Sequence, residues 1–322
     1  MLWAFLTLVD DMKVIVVGGF GFVGGNLTRL LDQKGHEVLA VSRRTGVDLA
    51  DVSSTKQYLA REQPQAIFNC AAHVGSIHYV MENAAVVAHD NMQMAINLYR
   101  AVAEAWPQAH VVNPLSNCSY PGDADIHYEP DWLKGEPHHS VFAYANAKRF
   151  IYVLARCYRE QFGIRTTNFL VPNAFGVGDH LDTSRTHAIS GMIVRMITAK
   201  RRGDQRFEVW GSGRPVREWG YVDDIAEIMS RALELDEDLV YPVNIAQNRG
   251  ATISESAEAI KTAVAYPGEL WFNTQYEDGA ARKVLDDTHF RKLFPTYRFI
   301  DHAEAIRRTV AYYESALPVS SS

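Results

Sequence analysis

Cysteine is scarce in this sequence of 322 residues, which contains only Cys70, Cys118 and Cys157. The three are far apart in the chain and no two form a Cys-x-x-Cys pair, so a disulfide framework is excluded and a structural zinc site is not expected. A chain of this length buries a large core without such cross-links. The scarcity is typical of a protein from a reducing compartment, and we expect a cytoplasmic location.

An excess of basic residues is also absent. The sequence has 32 Lys+Arg against 38 Asp+Glu, which gives a formal net charge of −6. The longest basic cluster is the short AKRR at residues 199–202. A nucleic-acid binder is therefore not expected, because such proteins concentrate basic residues on one face.

Long hydrophobic runs are missing as well, apart from the apolar opening at residues 1–9. That run is too short to span a bilayer. It has neither the basic leader nor the small-residue cleavage site of a signal peptide, and Asp10 and Asp11 follow it at once. We interpret it as an extension upstream of a start at Met12, with a membrane anchor as the alternative.

Apolar strand patterns do recur through the first half of the chain, and helical patterns separate them. The strand patterns cover residues 13–17, 36–42, 66–72, 110–116 and 166–173. The longest helical patterns between them cover residues 84–105 and 143–162. This alternation predicts an α/β fold with a doubly wound parallel sheet of the Rossmann type, covered by helices on both faces.

A glycine-rich segment joins the first strand to the first helix. In VIVVGGFGFVGG, Gly18, Gly21 and Gly24 form a Gly-x-x-Gly-x-x-Gly pattern around Phe22 and Val23. Glycines in this position allow a tight turn and let a pyrophosphate approach the backbone at a helix N-terminus. The segment therefore predicts a dinucleotide-binding loop.

The end of the second strand indicates which dinucleotide binds. A carboxylate there would bind the ribose 2′-hydroxyl of NAD, but this chain has Ser42, Arg43 and Arg44, which suit a 2′-phosphate. We therefore predict NADP(H), with exposed surface charges as the alternative explanation of the two arginines. The other predicted cofactor contacts are Asp48, Leu49, Ala71, Ala72, Val171 and Ala174.

A Tyr-x-x-x-Lys pattern supplies the candidate reacting groups. Four-residue spacing puts Tyr144 and Lys148 on one face of a helix. The cation favours the phenolate, which brings tyrosine nearer to acid–base chemistry at neutral pH. Ser116, at the end of the fourth strand and 28 residues before Tyr144, can donate its hydroxyl to the same carbonyl oxygen.

With these residues in place, the chain resembles the extended short-chain dehydrogenase/reductases over essentially its whole length. A narrower resemblance is to the GDP-L-fucose synthases, which epimerise C3 and C5 of a GDP-4-keto-6-deoxy sugar with a cysteine and a histidine and then reduce C4 with NADPH. It is carried by residues 71–77, 115–121, 187, 209–224 and 278–287.

This resemblance implies a role for each matching residue. Ser116, Tyr144 and Lys148 match the reductase triad, and Cys118 and His187 match the epimerase pair. The residues that fall where the family contacts its sugar nucleotide are His187, Asn173, Arg195, Trp210, Arg217 and Lys283.

Each of the less specific candidates has a structural alternative. Cys118 could be a small buried filler, and His187 could be a polar residue in the first turn of a helix. Arg195 and Arg217 could be surface or ion-pair arginines, although two cations in the substrate lobe suit a diphosphate. Trp210 could belong to the core.

A metal site is not expected. His73, His138 and His139 are suggestive, but no acidic or cysteine ligand pattern accompanies them. Two other functions remain open: a single-activity 4-keto reductase or epimerase acting on another nucleotide sugar, and a dinucleotide-binding protein without turnover.

We expect two interwoven lobes. Residues 13–174, with a return at about 217–248, would form the NADP-binding Rossmann domain, and residues 175–216 and 249–317 the smaller substrate-binding lobe. The helical segments 84–105 and 143–162 carry more apolar residues than one sheet face requires, among them Met92, Met94, Leu98, Phe150, Ile151 and Leu154. We expect them to pair with a second copy, giving a homodimer through a four-helix bundle.

Overall fold

The computed structural model of the protein describes residues 11–182 and 185–318. The interpretation of residues 1–9 as an upstream extension lies outside the described residues.

The elements of the described residues follow in chain order. The strands are β1 Lys13–Val17, β2 Glu37–Val41, β3 Ala66–Asn69, β4 His110–Ser116, β5 Ile126–His127, β6 Thr166–Val171, β7 Asn173–Phe175, β8 Arg206–Trp210, β9 Val216–Arg217, β10 Trp219–Tyr221, β11 Val243–Asn244, β12 Ala251–Thr252, β13 Glu269–Asn273 and β14 Arg282–Leu285. The helices are α1 Phe22–Gln33, α2 Val52–Glu62, α3 Ile77–Glu82, α4 Ala84–Ala105, α5 Phe142–Phe162, α6 Ala188–Arg202, α7 Val222–Ser230, α8 Ile253–Val264, α9 Thr288–Leu293 and α10 His302–Ala316.

The central sheet has six strands in the order β11-β6-β4-β3-β1-β2, and every pairing in it is parallel. The chain leaves β1 for β2 on one side and later returns to β3 on the other. This reversal is the switch point at which open parallel sheets bind ligands, beyond the carboxyl ends of the strands. The expected doubly wound α/β fold is confirmed.

The two faces of this sheet bury different helices. Ile15 and Val17 of β1 face one core cluster with α2, α4 and α5, whereas Val14 and Val16 face another with α1 and α7. Alternation along the strand explains the division, because successive side chains point to opposite faces. The apolar run VIVV of β1 follows from its burial on both faces.

Several of the later elements form a second group next to this sheet. Helices α6, α8 and α10 pack around a third core cluster, together with the parallel pair β8 and β13. A small sheet in the order β12-β9-β14-β5 connects segments that are far apart in sequence. This small sheet carries two of the predicted substrate contacts, Arg217 and Lys283.

One predicted helix is longer than the helix in the structure. A helix over residues 224–235 is expected, but α7 ends at Ser230 and a 3₁₀ turn covers Arg231–Glu234. The short elements β5, β14, α3 and α9 are not anticipated, because two to six residues carry too little periodicity to be recognised. Within the described residues, no helix is long and apolar enough to cross a membrane.

Candidate active site

The glycine loop lies at the switch point, between β1 and α1. Gly18 has a φ of +74°, and a Cβ atom there would lie 2.8 Å from the backbone nitrogen of Ala71 at the end of β3. A Cβ atom on Gly24 would lie 2.2 Å from the carbonyl oxygen of Gly18. Gly21 is the N-cap of α1, and no side chain caps the first amide groups of this helix. These free donors at a helix N-terminus fit a pyrophosphate, with Phe22 and Val23 in the first turn.

The segment after β2 forms a 3₁₀ turn over Arg43–Thr45 that Ser42 caps. The Arg44 amide donates to Ser42 Oγ at 3.2 Å, and the Ser42 amide donates to Thr45 Oγ1 at 2.8 Å. Arg43 and Arg44 are exposed, and neither forms a salt bridge with another described residue. A capped turn that presents two uncommitted guanidinium groups fits a 2′-phosphate.

The other cofactor candidates lie around the same edge of the sheet. Ala71 and Ala72 follow β3, Val171 is the last residue of β6, and Ala174 belongs to β7. Beyond the 3₁₀ turn, Asp48 Oδ1 accepts the Ala50 amide at 2.9 Å, and the Leu49 side chain is buried in the core. The fold thus brings the predicted cofactor contacts to the carboxyl ends of the strands.

Ser116 ends β4, and Cys118 follows in a 3₁₀ turn over Asn117–Ser119. The Cys118 amide donates to Ser116 Oγ at 3.2 Å, so the turn orients the hydroxyl and the thiol together. Cys118 is partly exposed and interacts electrostatically with both Tyr144 and Arg217. It is therefore accessible from the site and is not a fully buried filler.

Tyr144 and Lys148 lie one turn apart on α5. Lys148 is buried, donates to the Pro114 carbonyl of β4 at 2.9 Å, and places Nζ 5.6 Å from the centroid of the Tyr144 ring. Burial lowers the pKa of Lys148 to about 8, and Cys70 opposes that change. Burial also raises the pKa of Tyr144, and the neighbouring Cys118 adds to the increase. The pKa of Tyr144 therefore changes in the direction opposite to that expected from the neighbouring cation, because burial disfavours the phenolate.

His187, immediately before α6, is fixed by a residue that the sequence analysis missed. Asp179 is almost fully buried. Its carboxylate lies 3.1 Å from His187 Nδ1 and accepts the backbone amides of His187 at 3.0 Å and His180 at 2.8 Å. Burial works to raise the pKa of Asp179, but the bonds from His187 outweigh it and the pKa is lowered.

The His187 ring lies beside the cofactor loop, with its centroid 5.4 Å from that of Phe22. Between residues that the structure describes, no hydrogen bond joins His187 to Cys118. Asp179 lies in a loop with no periodic pattern, so nothing in its local sequence signals this role.

Arg217 of β9 and Lys283 of β14 are register partners in the small sheet. Burial lowers the pKa of Arg217, whereas Cys118 and Asp278 counteract that effect. These two cations are thus neighbours, and Arg217 approaches the thiol of the candidate site.

Glu218, also missed by the sequence analysis, connects the segments that carry these cations. Its buried carboxylate accepts the amides of Gln247 at 2.6 Å and Leu285 at 2.9 Å. Its backbone carbonyl accepts the side-chain amide of Asn173 at 3.0 Å. Burial raises the pKa of Glu218 to about 7. Nothing near Glu218 in the sequence indicates that its partners are 29 and 67 residues away.

Arg195 and Trp210 form a separate part of the site. The Arg195 guanidinium lies 4.5 Å above the Trp210 ring, which stacks on Tyr276 with centroids 5.3 Å apart. Trp210 is 55% exposed, so the alternative of a core tryptophan is wrong. A cation over an exposed aromatic pair offers a flat stacking surface. No contact joins this pair directly to Cys118 among the residues described.

The histidines considered for a metal have other partners. His73 lies between Asp90, at 2.8 Å from Nδ1, and the Tyr79 hydroxyl, at 2.7 Å from Nε2. The described part of the chain holds no group of three His, Cys, Asp or Glu side chains that could bind a metal ion.

Comparison with known families and sequences gives a consistent result. Residues 14–246 match the model of the NAD dependent epimerase/dehydratase family. A probable GDP-L-fucose synthase from Drosophila melanogaster is 31% identical over 314 residues, covering 94% of this chain and 97% of that protein. A GDP-L-colitose synthase from Yersinia pseudotuberculosis is 28% identical over 304 residues, covering 94% and 98%.

Solved structures agree with the sequence matches. A GDP-L-fucose synthetase from Naegleria fowleri, solved with bound NADP, superposes with a TM-score of 0.84 at 26% identity. The match covers 95% of this chain and 93% of that one. The similarity therefore extends through both the central sheet and the elements that follow it.

Proposed function

The chain belongs to the NAD dependent epimerase/dehydratase family, and from that premise we propose that it is an NADPH-dependent enzyme acting on a GDP-linked 4-keto-6-deoxy-hexose. It would epimerise the sugar at C3 and C5 and then reduce C4. The family match confirms the resemblance to the extended short-chain dehydrogenase/reductases. The choice of GDP and NADPH rests on the names of the relatives and on the 3₁₀ turn with Arg43 and Arg44.

One observation supports this proposal above the others: a thiol lies beside the predicted reductase residues. Cys118 is hydrogen-bonded through its amide to Ser116 and interacts electrostatically with Tyr144 and Arg217. A simple ketone reductase needs only the serine, tyrosine and lysine. A cysteine next to them offers a proton-transfer group at the carbon next to the carbonyl.

Epimerisation requires removal of a proton from the carbon next to the C4 ketone and its return on the opposite face. As the C–H bond breaks, its electron pair moves toward the C4 oxygen, which gains negative charge. Ser116 and Tyr144 would donate hydrogen bonds to that oxygen. Cys118 and His187 would act as the base and acid on the two faces of the ring, and Asp179 would orient His187.

Reduction uses the same oxygen donors. NADPH, when bound, supplies the hydride to C4. Tyr144, kept protonated by burial, would donate its proton to the alkoxide. Lys148 would hold the nicotinamide ribose. Gly18, Gly21 and Gly24 would receive the pyrophosphate at the start of α1, and Arg43 and Arg44 the 2′-phosphate.

The experiment is turnover of GDP-4-keto-6-deoxy-D-mannose with NADPH in deuterated water. We expect deuterium at C3 and C5 of the product from the wild-type protein. Cys118→Ser should lower this uptake at least 100-fold while the Kd for NADPH stays within twofold, because the thiol is lost but the cofactor loop is not touched. Cys157→Ser, at the exposed cysteine of α5, is the matched control. Normal uptake by Cys118→Ser would remove Cys118 from the mechanism.

A reductase without epimerase activity is the second candidate. It would need only Ser116, Tyr144 and Lys148, and Lys148 contacts both the Tyr144 ring and the β4 strand that ends at Ser116. Oxidation of NADPH with no deuterium uptake would establish this reading. A failure to oxidise NADPH with any 4-keto nucleotide sugar would instead indicate a binding protein without turnover.

A further inference from the structure

His138 packs on the short segment that follows the turn that carries Cys118. Pro121 and Pro137 form an isolated antiparallel bridge, and the Gly122 amide donates to the Glu136 carbonyl at 2.9 Å. A Cβ atom on Gly122 would lie 2.8 Å from the Cα atom of His138. His138, six residues before Tyr144, is thus held against the segment 121–122, which follows the turn that carries Cys118.

The hydrogen bonds of His138 determine which ring nitrogen carries the proton. Nδ1 lies 3.4 Å from the backbone nitrogen of Ser140 and 2.8 Å from its hydroxyl. A backbone amide can only donate, so Nδ1 is an acceptor and the neutral ring carries its proton on Nε2. Nε2 has no hydrogen-bond partner in the part of the chain that the structure describes. It is an unused N–H donor on a half-buried residue.

The surroundings of His138 keep it neutral and favour an oxygen ligand. Burial lowers the pKa of His138, and His139, Lys283 and Arg217 lower it further. None of these neighbours is an anion, and Lys283 and Arg217 have no acceptor for the Nε2 proton. The donor therefore lies in an electropositive region next to two predicted substrate contacts.

We infer that His138 is a substrate-binding residue whose Nε2–H donates to an oxygen of the sugar ring beside Cys118. The inference rests on the proposed function and extends it to a residue that the family resemblance did not assign. The sugar is favoured over the base because His138 packs on Gly122, three residues after the Cys118 turn, whereas no described contact joins it to the stacking surface at Arg195 and Trp210. A metal ligand is not favoured, because Nδ1 already accepts from Ser140 and cations surround the ring.

Two substitutions test this assignment. His138→Phe keeps a ring of similar size but removes the donor, whereas His138→Gln keeps an N–H near the position of Nε2. We expect His138→Phe to raise the KM for GDP-4-keto-6-deoxy-D-mannose about tenfold, the typical cost of one hydrogen bond in a desolvated site. The Kd values for GDP and NADPH should change less than twofold, and His138→Gln should recover most of the loss. His139→Phe is the matched control at the exposed neighbour.

Calorimetry with GDP and GDP-mannose provides a readout that does not depend on turnover. We expect the wild-type protein to bind GDP-mannose more tightly than GDP, and His138→Phe to lose that difference. This result would support the inference even if the 4-keto sugar were not turned over and the proposed reaction failed. An unchanged KM and an unchanged affinity difference in His138→Phe would overturn it, as would an equal loss of affinity for GDP itself.

Discussion

Burial sets the ionisation of the residues that we expect to react. Burial raises the pKa of Tyr144 and lowers that of Lys148 to about 8, so both changes favour the neutral form. Spacing in the sequence identifies the pair, but the direction of these shifts depends on the protein packed around α5. The same principle makes Asp179 informative, since a buried carboxylate that stays ionised needs donors, and His187 supplies two of them.

Asp179→Asn tests whether this carboxylate positions His187. The amide keeps the shape of the side chain but loses its charge, so the orientation of the imidazole is no longer enforced. We expect kcat for deuterium exchange at C3 and C5 to fall at least tenfold, with KM and NADPH affinity within twofold of the wild type.

A second reaction, the reduction of a sugar that is already epimerised, shows whether Asp179→Asn affects only the position of His187 or the whole protein. This step does not use His187 and should keep its rate. Asp131→Asn, at an exposed carboxylate paired with Lys134, is the control. Equal losses in both reactions would indicate a structural role for Asp179 only.

The combined substitution Arg43→Ala and Arg44→Ala tests the choice of cofactor. Both guanidinium groups are exposed after β2 and have no described anionic partner. We expect the affinity for NADPH to fall about 10- to 100-fold while that for NADH stays within twofold, because only NADPH has the 2′-phosphate. Fluorescence titration measures both, with Arg61→Ala as the control. A variant that still prefers NADPH would show that the two arginines are only surface charges.

Elements differ in how far the sequence predicts them, and length explains most of the difference. The long helices α4 and α5 and the buried strands β1 and β4 carry enough periodicity to be located within a few residues. The strands β5, β9 and β14 have two to four residues each. They exist because β14 pairs with β5, 158 positions earlier in the chain, and with β9, 66 positions earlier. A local pattern cannot show such pairing.

The residues of the candidate site also differ in how far the sequence predicts them. The glycine loop and the pair Tyr144 and Lys148 depend on short spacings within a single strand–helix unit or helix, so they can be recognised from sequence. The contributions of Asp179, Glu218 and His138 depend on which distant segments the fold brings against them. Their chemistry emerges only when those segments are in place.

Glu218 shows how one side chain couples several elements. It connects β9 with β14, with the segment after β11 and, through its backbone, with β7. Its pKa of about 7 is above the usual value of 4.5, so the folded protein keeps a proton that the unfolded chain releases. The contribution of this group to the unfolding free energy is therefore present below pH 4.5 and is lost as the pH rises to 7.

Glu218→Gln should remove this dependence. As the pH rises from 5 to 7.5, we expect the unfolding free energy of the wild type to fall by a few kcal/mol relative to that of the variant. Urea unfolding at both pH values measures it. His110 and His127, whose pKa values burial lowers to about 3, have the opposite dependence but are common to both proteins. A difference that stays constant with pH would contradict the assignment.

At the scale of the whole molecule, the chain crosses between its two groups of elements more than once. We propose that residues 13–174 and about 217–248 bind the cofactor, and that residues 175–216 and 249–317 bind the substrate. The packing of α7 on the α1 face of the sheet and the pairing of β11 with β6 support the return of the chain to the first lobe. The boundary crosses β9, between Val216 and Arg217, so substrate binding should involve both lobes.

Homodimer formation stays a prediction, and the structure changes which residues support it. Leu98 and Ile151 are core residues with 1% and 4% exposure, so they are not available for an interface. Val86 and Ile96 of α4 and Val153 of α5 remain exposed and apolar. These side chains are the ones that a second copy would cover.

Val153→Glu should therefore shift the protein from dimer to monomer without unfolding it, because the side chain is 47% exposed and the new charge needs to be buried only in the dimer. Light scattering at micromolar concentration measures the mass, and circular dichroism measures the fold. Leu133→Glu, at an exposed apolar residue outside α4 and α5, should leave the mass unchanged. A monomeric wild-type protein would refute the dimer.

The contact between Lys148 and the Pro114 carbonyl has a final consequence. Pro114 lies two residues before Ser116 on β4, and both residues are in register with β6 at the centre of the main sheet. The Lys148 cation and the Ser116 hydroxyl are therefore both held by the pairing of β4 with β6. They lose their relative position only when these strands separate. Such strands exchange their amide hydrogens through global unfolding. Heat or denaturant should thus abolish this half of the site only when the central sheet itself unfolds.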